Sequence, residues 1–115
     1  SQKEKEAIYS DSKTDIIAKL LPVIDNFERA SAAASDLDSY KKGIEMTVNQ
    51  LLEVFASFGV EAFGEKGEQF DPNNHNGIMH IDNEELGENE ISEVYMKGYK
   101  MGDRVIRHAT VIVAN

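Results

Sequence analysis

Three histidines, His75, His80 and His108, together with the carboxylate of Asp71, are the side-chain types that can hold a divalent cation. Their spacing matches no compact ligand motif, and surface or capping roles account for such histidines more simply. The run Gly59-Val60-Glu61-Ala62-Phe63-Gly64-Glu65-Lys66 has the two glycines of a phosphate loop. Glu65 stands where the lysine belongs, the run follows a helical pattern instead of a strand, and its carboxylates repel phosphate. Ser92 and the other hydroxyls lack the glycine frame of a nucleophile elbow, and Glu84-Glu85 lies in a polar loop without the apolar surroundings that general acid catalysis requires. The residues therefore predict no metal site, no cofactor and no enzyme. Binding remains. Arg104 and Arg107 stand out as cations in an acidic chain, with solvated strand charges as the competing reading. Three apart in a strand, they are expected on opposite faces, so that at most one shares a face with Val113.

The elements that carry these arginines are short. Gly102-Asp103 lies between an aromatic-containing run and a β-branched one, which predicts a tight turn and a closing hairpin. Val111-Ile112-Val113 is continuously apolar, as expected of a strand buried on both faces or paired in the middle of a sheet.

Bulk properties narrow the partners. The 115 residues suffice for one ordinary domain or two small pieces that each bury little surface. Lys and Arg number 12 against 21 Asp and Glu, a formal net charge of -9, which opposes the backbone electrostatics of nucleic-acid binding. No apolar run approaches the roughly 20 residues of a membrane span, and Ser1-Gln2-Lys3-Glu4-Lys5-Glu6 has no signal-peptide core. The chain has no cysteine, which fits a reducing compartment; the cytoplasm, or an organelle matrix, is the expected location.

The first half reads as helical. From Ser1 to Ala34 there is no glycine, and Ile17, Leu20, Ile24 and Phe27 form a stripe that fades into Ala30, Ala33 and Ala34. Pro22 interrupts it; because the stripe keeps phase, a kink is expected and not a restart. Ser35-Asp36-Leu37-Asp38-Ser39 offers several N-cap candidates, and a second stripe runs Ile44, Val48, Leu51, Phe55 and Phe58 up to a Gly59 C-cap. Its steps of four and three make a heptad seam. A hairpin of two such helices leaves apolar surface wet, with Leu21, Leu52 and Val54 flanking the seams. Two arrangements would cover it: packing on the C-terminal sheet as one α+β domain, or a dimeric four-helix bundle, which fits the heptad spacing better. The mostly polar residues up to Lys13 look like the end of a longer helix.

After Gly59 short apolar clusters alternate with turn residues: Val60 to Phe63, Gly77 to Ile81, Ile91 to Met96, then the hairpin. Asp71-Pro72-Asn73-Asn74 reads as a turn, and residues 64–68 and 82–90 as solvated acidic connectors. The expected architecture is thus α+β: a helical region over residues 1–59 and a small all-β domain over 60–115.

Several motifs in order resemble one family. Leu20-Leu21-Pro22-Val23-Ile24-Asp25-Asn26-Phe27-Glu28-Arg29-Ala30, Gly43-Ile44-Glu45-Met46-Thr47, Phe58-Gly59-Val60, Phe70-Asp71-Pro72-Asn73 with His75, and Gly98-Tyr99 through Ala114 are similar to GrpE, the nucleotide exchange factors of DnaK-type heat-shock chaperones. The resemblance runs from about Ile16 to Ala114. It lacks the family's N-terminal tail and most of its long paired helix, of which the stretch before Asp15 would be the stump. It implies a homodimer with a four-helix bundle, its interface drawn from Ile17, Leu20, Ile24, Phe27, Ile44, Val48, Leu51 and Phe55, and one β-domain per protomer. One β-domain would press on the chaperone's nucleotide-binding domain and hold its cleft open so that ADP leaves. By similarity Arg104 and Val113 match contact positions in the β-domain, and Gly43 matches a glycine in the bundle where close approach to the chaperone matters. Nine residues apart in an unbroken strand, Arg104 and Val113 would face opposite ways, so this requires a bulge or bend between them. His108 stands where many members have proline, and Asn76-Gly77 replaces a commoner Glu-Ala pair. The competing function is a purely structural dimerisation module whose sheet is only a cap.

Overall fold

A computed structural model describes residues 1–32 and 36–115; Ala33, Ala34 and the N-cap candidate Ser35 lie outside the described residues. The order of elements is α1 (Gln2–Ala32), α2 (Leu37–Ser57), β1 (Val60–Phe63), β2 (His75–Ile81), β3 (Glu90–Met96), β4 (Gly98–Met101), β5 (Arg104–Arg107) and β6 (Ala109–Ala114). The fold is α+β, and the chain divides into two compact units, Ser1–Val54 and Phe55–Asn115. No helix among the described residues is long and apolar enough to cross a membrane.

In the first unit α1 continues through Pro22, so the stripe's unbroken phase reflects one helix and not two. Asp36 is the N-cap of α2. Its carbonyl accepts from the Tyr40 N–H at 2.9 Å, and its carboxylate accepts from the Ser39 hydroxyl at 2.9 Å and the Asp38 N–H at 3.3 Å. Those bonds, the Ser39 hydroxyl foremost, hold its carboxyl below its ordinary pKa, because they favour the charged form. The two helices meet along one side of the apolar seams, which are only partly covered. Val23 and Thr47, each 3% exposed, are the buried side chains of their helices. The Asn26 amide donates to Gln50 across the hairpin, and Gly43 lies against Ala30, whose Cβ is 3.4 Å from where a Cβ on Gly43 would stand. Small residues here let the backbones approach, and the Thr47 hydroxyl is satisfied by the Gly43 carbonyl at 2.8 Å.

The seams consequently remain open to solvent in the single chain. Ile17 is 55% and Ile24 49% exposed, Ile16, Leu21, Phe27 and Val48 are exposed as well, and Leu20, Ile44 and Leu51 are half-buried. On α2 the seam residues Ile44, Val48 and Leu51 lie roughly 130° around the helix from Gly43, Met46 and Gln50, at 100° per residue.

In the second unit Gly59, at φ 81°, ends α2 with its N–H on the Ala56 carbonyl, and the chain turns directly into β1. One three-stranded sheet has the order β1-β4-β5; the other has β2-β6-β3, with β2 parallel and β3 antiparallel to the central β6. The apolar run Val111-Ile112-Val113 therefore sits mid-sheet, as its composition predicts. Ile91, Ala109, Val111 and Val113 form the core, with Phe63, Phe70 and Val94 packed on it. Gly98 is where Phe63 crosses: a Cβ there would run into the Phe63 ring and stand 2.7 Å from the Ala109 nitrogen.

Candidate functional site

The turn at Gly102, with φ 58°, and Asp103 joins β4 to β5 as the sequence predicts. Across this hairpin Met101 pairs with Arg104, Lys100 with Val105, and Tyr99 with Arg107. Three β5 steps thus match two on β4, and Ile106 is the extra residue of a β-bulge. Cross-strand partners share a face, and Met101 and Tyr99, two apart, share one as well. Arg104 and Arg107 accordingly lie on the same face. This overturns the expectation of opposite faces, which assumed a regular strand; the bulge restores the phase that a spacing of three would break.

The two arginines are held differently. Arg107 donates through Nε and Nη2 to the Lys97 carbonyl at 3.2 and 2.7 Å, and its guanidinium lies over the Tyr99 ring, 5.2 Å from the centroid. Tyr99 is itself braced edge-on by Phe55 at 5.9 Å between centroids. Arg104 is exposed, and its guanidinium has no ion pair among the described residues. Met101 and Ile106 beside it are 45% and 55% exposed. Sequence reasoning passed over these two apolar residues. The signal that marks them is apolar side chains interleaved with cations on a strand too short to bury both faces.

Val113 lies elsewhere than expected. β5 ends at Arg107 and β6 begins at Ala109 in the other sheet, with His108 outside both ladders. There is no unbroken strand from Arg104 to Val113, so the parity problem disappears. Val113 is 6% exposed and belongs to the core; it shares a shallow depression with Phe70, Gly77, Ile78, Met79 and His80. A Cβ at Gly77 would meet Val113 and Phe70 at 3.4 and 3.5 Å, ordinary contact distances, so an alanine would fit there without displacing either side chain. Gly43 lines a cleft of the helical unit with Asn26, Arg29, Tyr40, Met46 and Gln50.

His75 is engaged in structure. Its Nδ1 accepts the Asp71 N–H at 2.9 Å and its Nε2 faces the Glu68 carboxylate at 3.4 Å, while the Asp71 carbonyl and carboxylate take the N–H groups of Asn74, His75 and Asn73. The Asp-Pro-Asn-Asn turn is thereby locked to the start of β2. Among the described residues no three His, Asp or Glu side chains come together to hold a metal ion. The Ser92 hydroxyl donates to the Ile112 carbonyl.

The comparisons with known proteins agree with this picture. The GrpE family model matches residues 1–115. The chain is 52% identical over 113 residues to Protein GrpE of Clostridium beijerinckii, covering 98% of this chain and 54% of the relative. It is 49% identical to Protein GrpE of Clostridium acetobutylicum, at 98% and 56% coverage, and 42% identical to that of Listeria monocytogenes, at 96% and 59%. The chain spans about half the length of the curated relatives it matches. With the helical hairpin, the two small sheets and the motif order all in accord, the chain belongs to the GrpE family.

Proposed function

We propose that this chain is a co-chaperone that binds the nucleotide-binding domain of a DnaK-type chaperone and promotes release of ADP. The observation that carries the reading is an unpaired Arg104 displayed on the β4–β5 hairpin of a chain that belongs to the GrpE family. If the protein binds the open, nucleotide-free chaperone more tightly than the ADP-bound form, ADP affinity must fall by the same factor, since the coupling is reciprocal. Exchange is then a population shift driven by an interface, and no bond is made or broken by this protein. Arg104 supplies a cation to a partner carboxylate. Val113, buried in the core, supports the floor of the depression around Gly77 and offers only its edge to a partner. Gly43 permits close approach at the helical unit.

A homodimer is part of the proposal. The seams on α1 and α2 leave apolar side chains at helical spacing exposed, Ile17, Ile24, Phe27 and Val48 among them, and a second copy would cover them. Ile17, Leu20, Ile24, Phe27, Ile44, Val48 and Leu51 would lie in that interface; Phe55, the eighth expected member, already packs on Tyr99. The relatives are bacterial proteins, and a cytoplasmic location belongs to the same proposal.

The test is ADP release from a DnaK-type chaperone preloaded with fluorescent ADP. Acceleration that saturates with added protein is the expected result. A release rate unchanged at saturation would contradict the exchange reading and leave the structural dimerisation module as the better one.

A further inference from the structure

From Lys97 to Arg107 the chain carries four basic residues and one acidic one, leaving 8 basic against 20 acidic residues elsewhere. This segment thus has a formal charge of +3 in a chain of net charge -9, although Glu61 on β1 stands opposite Lys100. The cations are not equivalent. Lys97 lies 3.8 Å from Glu65, and Lys100 pairs with Val105 on the face opposite the arginines. The outward face is left with Arg104 and Arg107, separated by the two β4 steps from Met101 to Tyr99, about 7 Å along the strand. Met101 gives that face an apolar element beside the cations.

We infer that this bulged hairpin is an electrostatic guide that captures and orients a partner surface bearing two carboxylates about 7 Å apart beside an apolar patch, with Arg107 as its second, pre-positioned cation. It rests on the proposed chaperone-binding reading and adds to it Arg107, the bulge and the apolar contacts of Met101 and Ile106. The occupant's chemistry follows from charge complementarity. A carboxylate pair at alternate positions of a strand, or four apart on a helix, has the required spacing. In Arg107 the contacts to Lys97 and Tyr99 fix the guanidinium before the partner arrives, so less side-chain freedom is lost on binding. The rest of the chain carries an excess of acidic residues, so the net charge favours approach of an acidic partner through the hairpin.

The experiment measures association and dissociation rates of the 115-residue chain with a DnaK-type chaperone at about 20 mM and about 0.5 M salt, conditions that weakly and strongly screen exposed charges. Arg104→Gln with Arg107→Gln is expected to slow association about tenfold or more at low salt, and the difference from the parent should shrink at high salt. Lys3→Gln, distant in sequence from the hairpin, should leave association unchanged. Ile106→Ser should raise the dissociation rate with little effect on association. A double variant that associates as fast as the parent at low salt overturns the inference, as does one whose deficit is the same at both salts. Arg107→Lys separates guidance from folding: it keeps the charge and loses the fork, so normal association at low salt with a faster dissociation is expected, whereas a uniform loss of folded protein would make Arg107 merely structural. A parent chain that does not bind the chaperone refutes the exchange-factor reading itself, a result distinct from unaffected variants of a binding parent.

Discussion

Gly43 is the position where packing within the chain and the proposed contact with a partner would make different demands, and substitution there separates them. In the helical hairpin a Cβ at Gly43 would stand 3.4 Å from the Ala30 Cβ, an ordinary van der Waals distance. Gly43→Ala therefore fits without moving α1, and it removes the conformational freedom that makes glycine about 1 kcal/mol worse than alanine inside a helix. The helical unit should gain about 0.5–1 kcal/mol, seen as a rise of several degrees in the midpoint of thermal unfolding followed by helical circular dichroism. Gly43→Asp adds the same Cβ and then a carboxylate in the cleft lined by Arg29, Tyr40 and Met46. Aspartate is a better helix former than glycine, so folding should change by less than about 1 kcal/mol. At a surface where a partner backbone approaches closely the added carboxylate is costly, and a loss of tenfold or more in chaperone affinity, about 1.4 kcal/mol, is expected. The assay is titration of ADP-release rate against protein concentration, run beside the melts. Destabilisation by Gly43→Ala would show that the helices meet more tightly than the Ala30 contact implies. Equal losses of stability and affinity in Gly43→Asp would refute Gly43 as a partner contact and leave it a packing residue.

Further perturbations test the other surfaces. Replacing Ile17 and Ile24 together by Asp places two charges in the exposed α1 seam, and sedimentation at about 10 µM should then report a monomer where a dimer is expected of the parent; a parent already monomeric with folded helices sinks the dimer. Arg104→Ala should weaken chaperone binding by about 2 kcal/mol, roughly thirtyfold, while shifting unfolding by less than about 0.5 kcal/mol, because the side chain is exposed and unpaired. Binding equal to the parent's would remove Arg104 from the site without touching the family assignment. Gly98→Ala forces a methyl against Phe63 and the Ala109 nitrogen, and about 1–3 kcal/mol of destabilisation is expected in denaturant melts of the β unit; a neutral outcome would mean the Phe63 ring gives way freely.

Much of the architecture is local enough to be read from residue order. The three- and four-residue steps of Ile44, Val48 and Leu51 determine a helix, Gly59 its end, Gly102-Asp103 a hairpin, and Val111-Ile112-Val113 a central strand, because each depends on the chain's own backbone geometry and apolar spacing over a few residues. The motif order was enough to indicate the family. Other features depend on which distant segments meet, and no local pattern encodes them. Among the apolar and small residues of α1, only the partner helix selects Val23, Asn26 and Ala30 for the hairpin contact and leaves Ile17 and Ile24 bare. His75, legible as a possible metal ligand, is claimed by Asp71 and Glu68 once the turn closes. Val113, an apolar residue like any other in the run, is buried because β6 lies between β2 and β3, with β2 joining in parallel across nearly thirty residues of sequence. The shared face of Arg104 and Arg107 was likewise beyond reach, since a bulge is a mismatch between two strands: Ile106 is extra only when β5 is counted against β4.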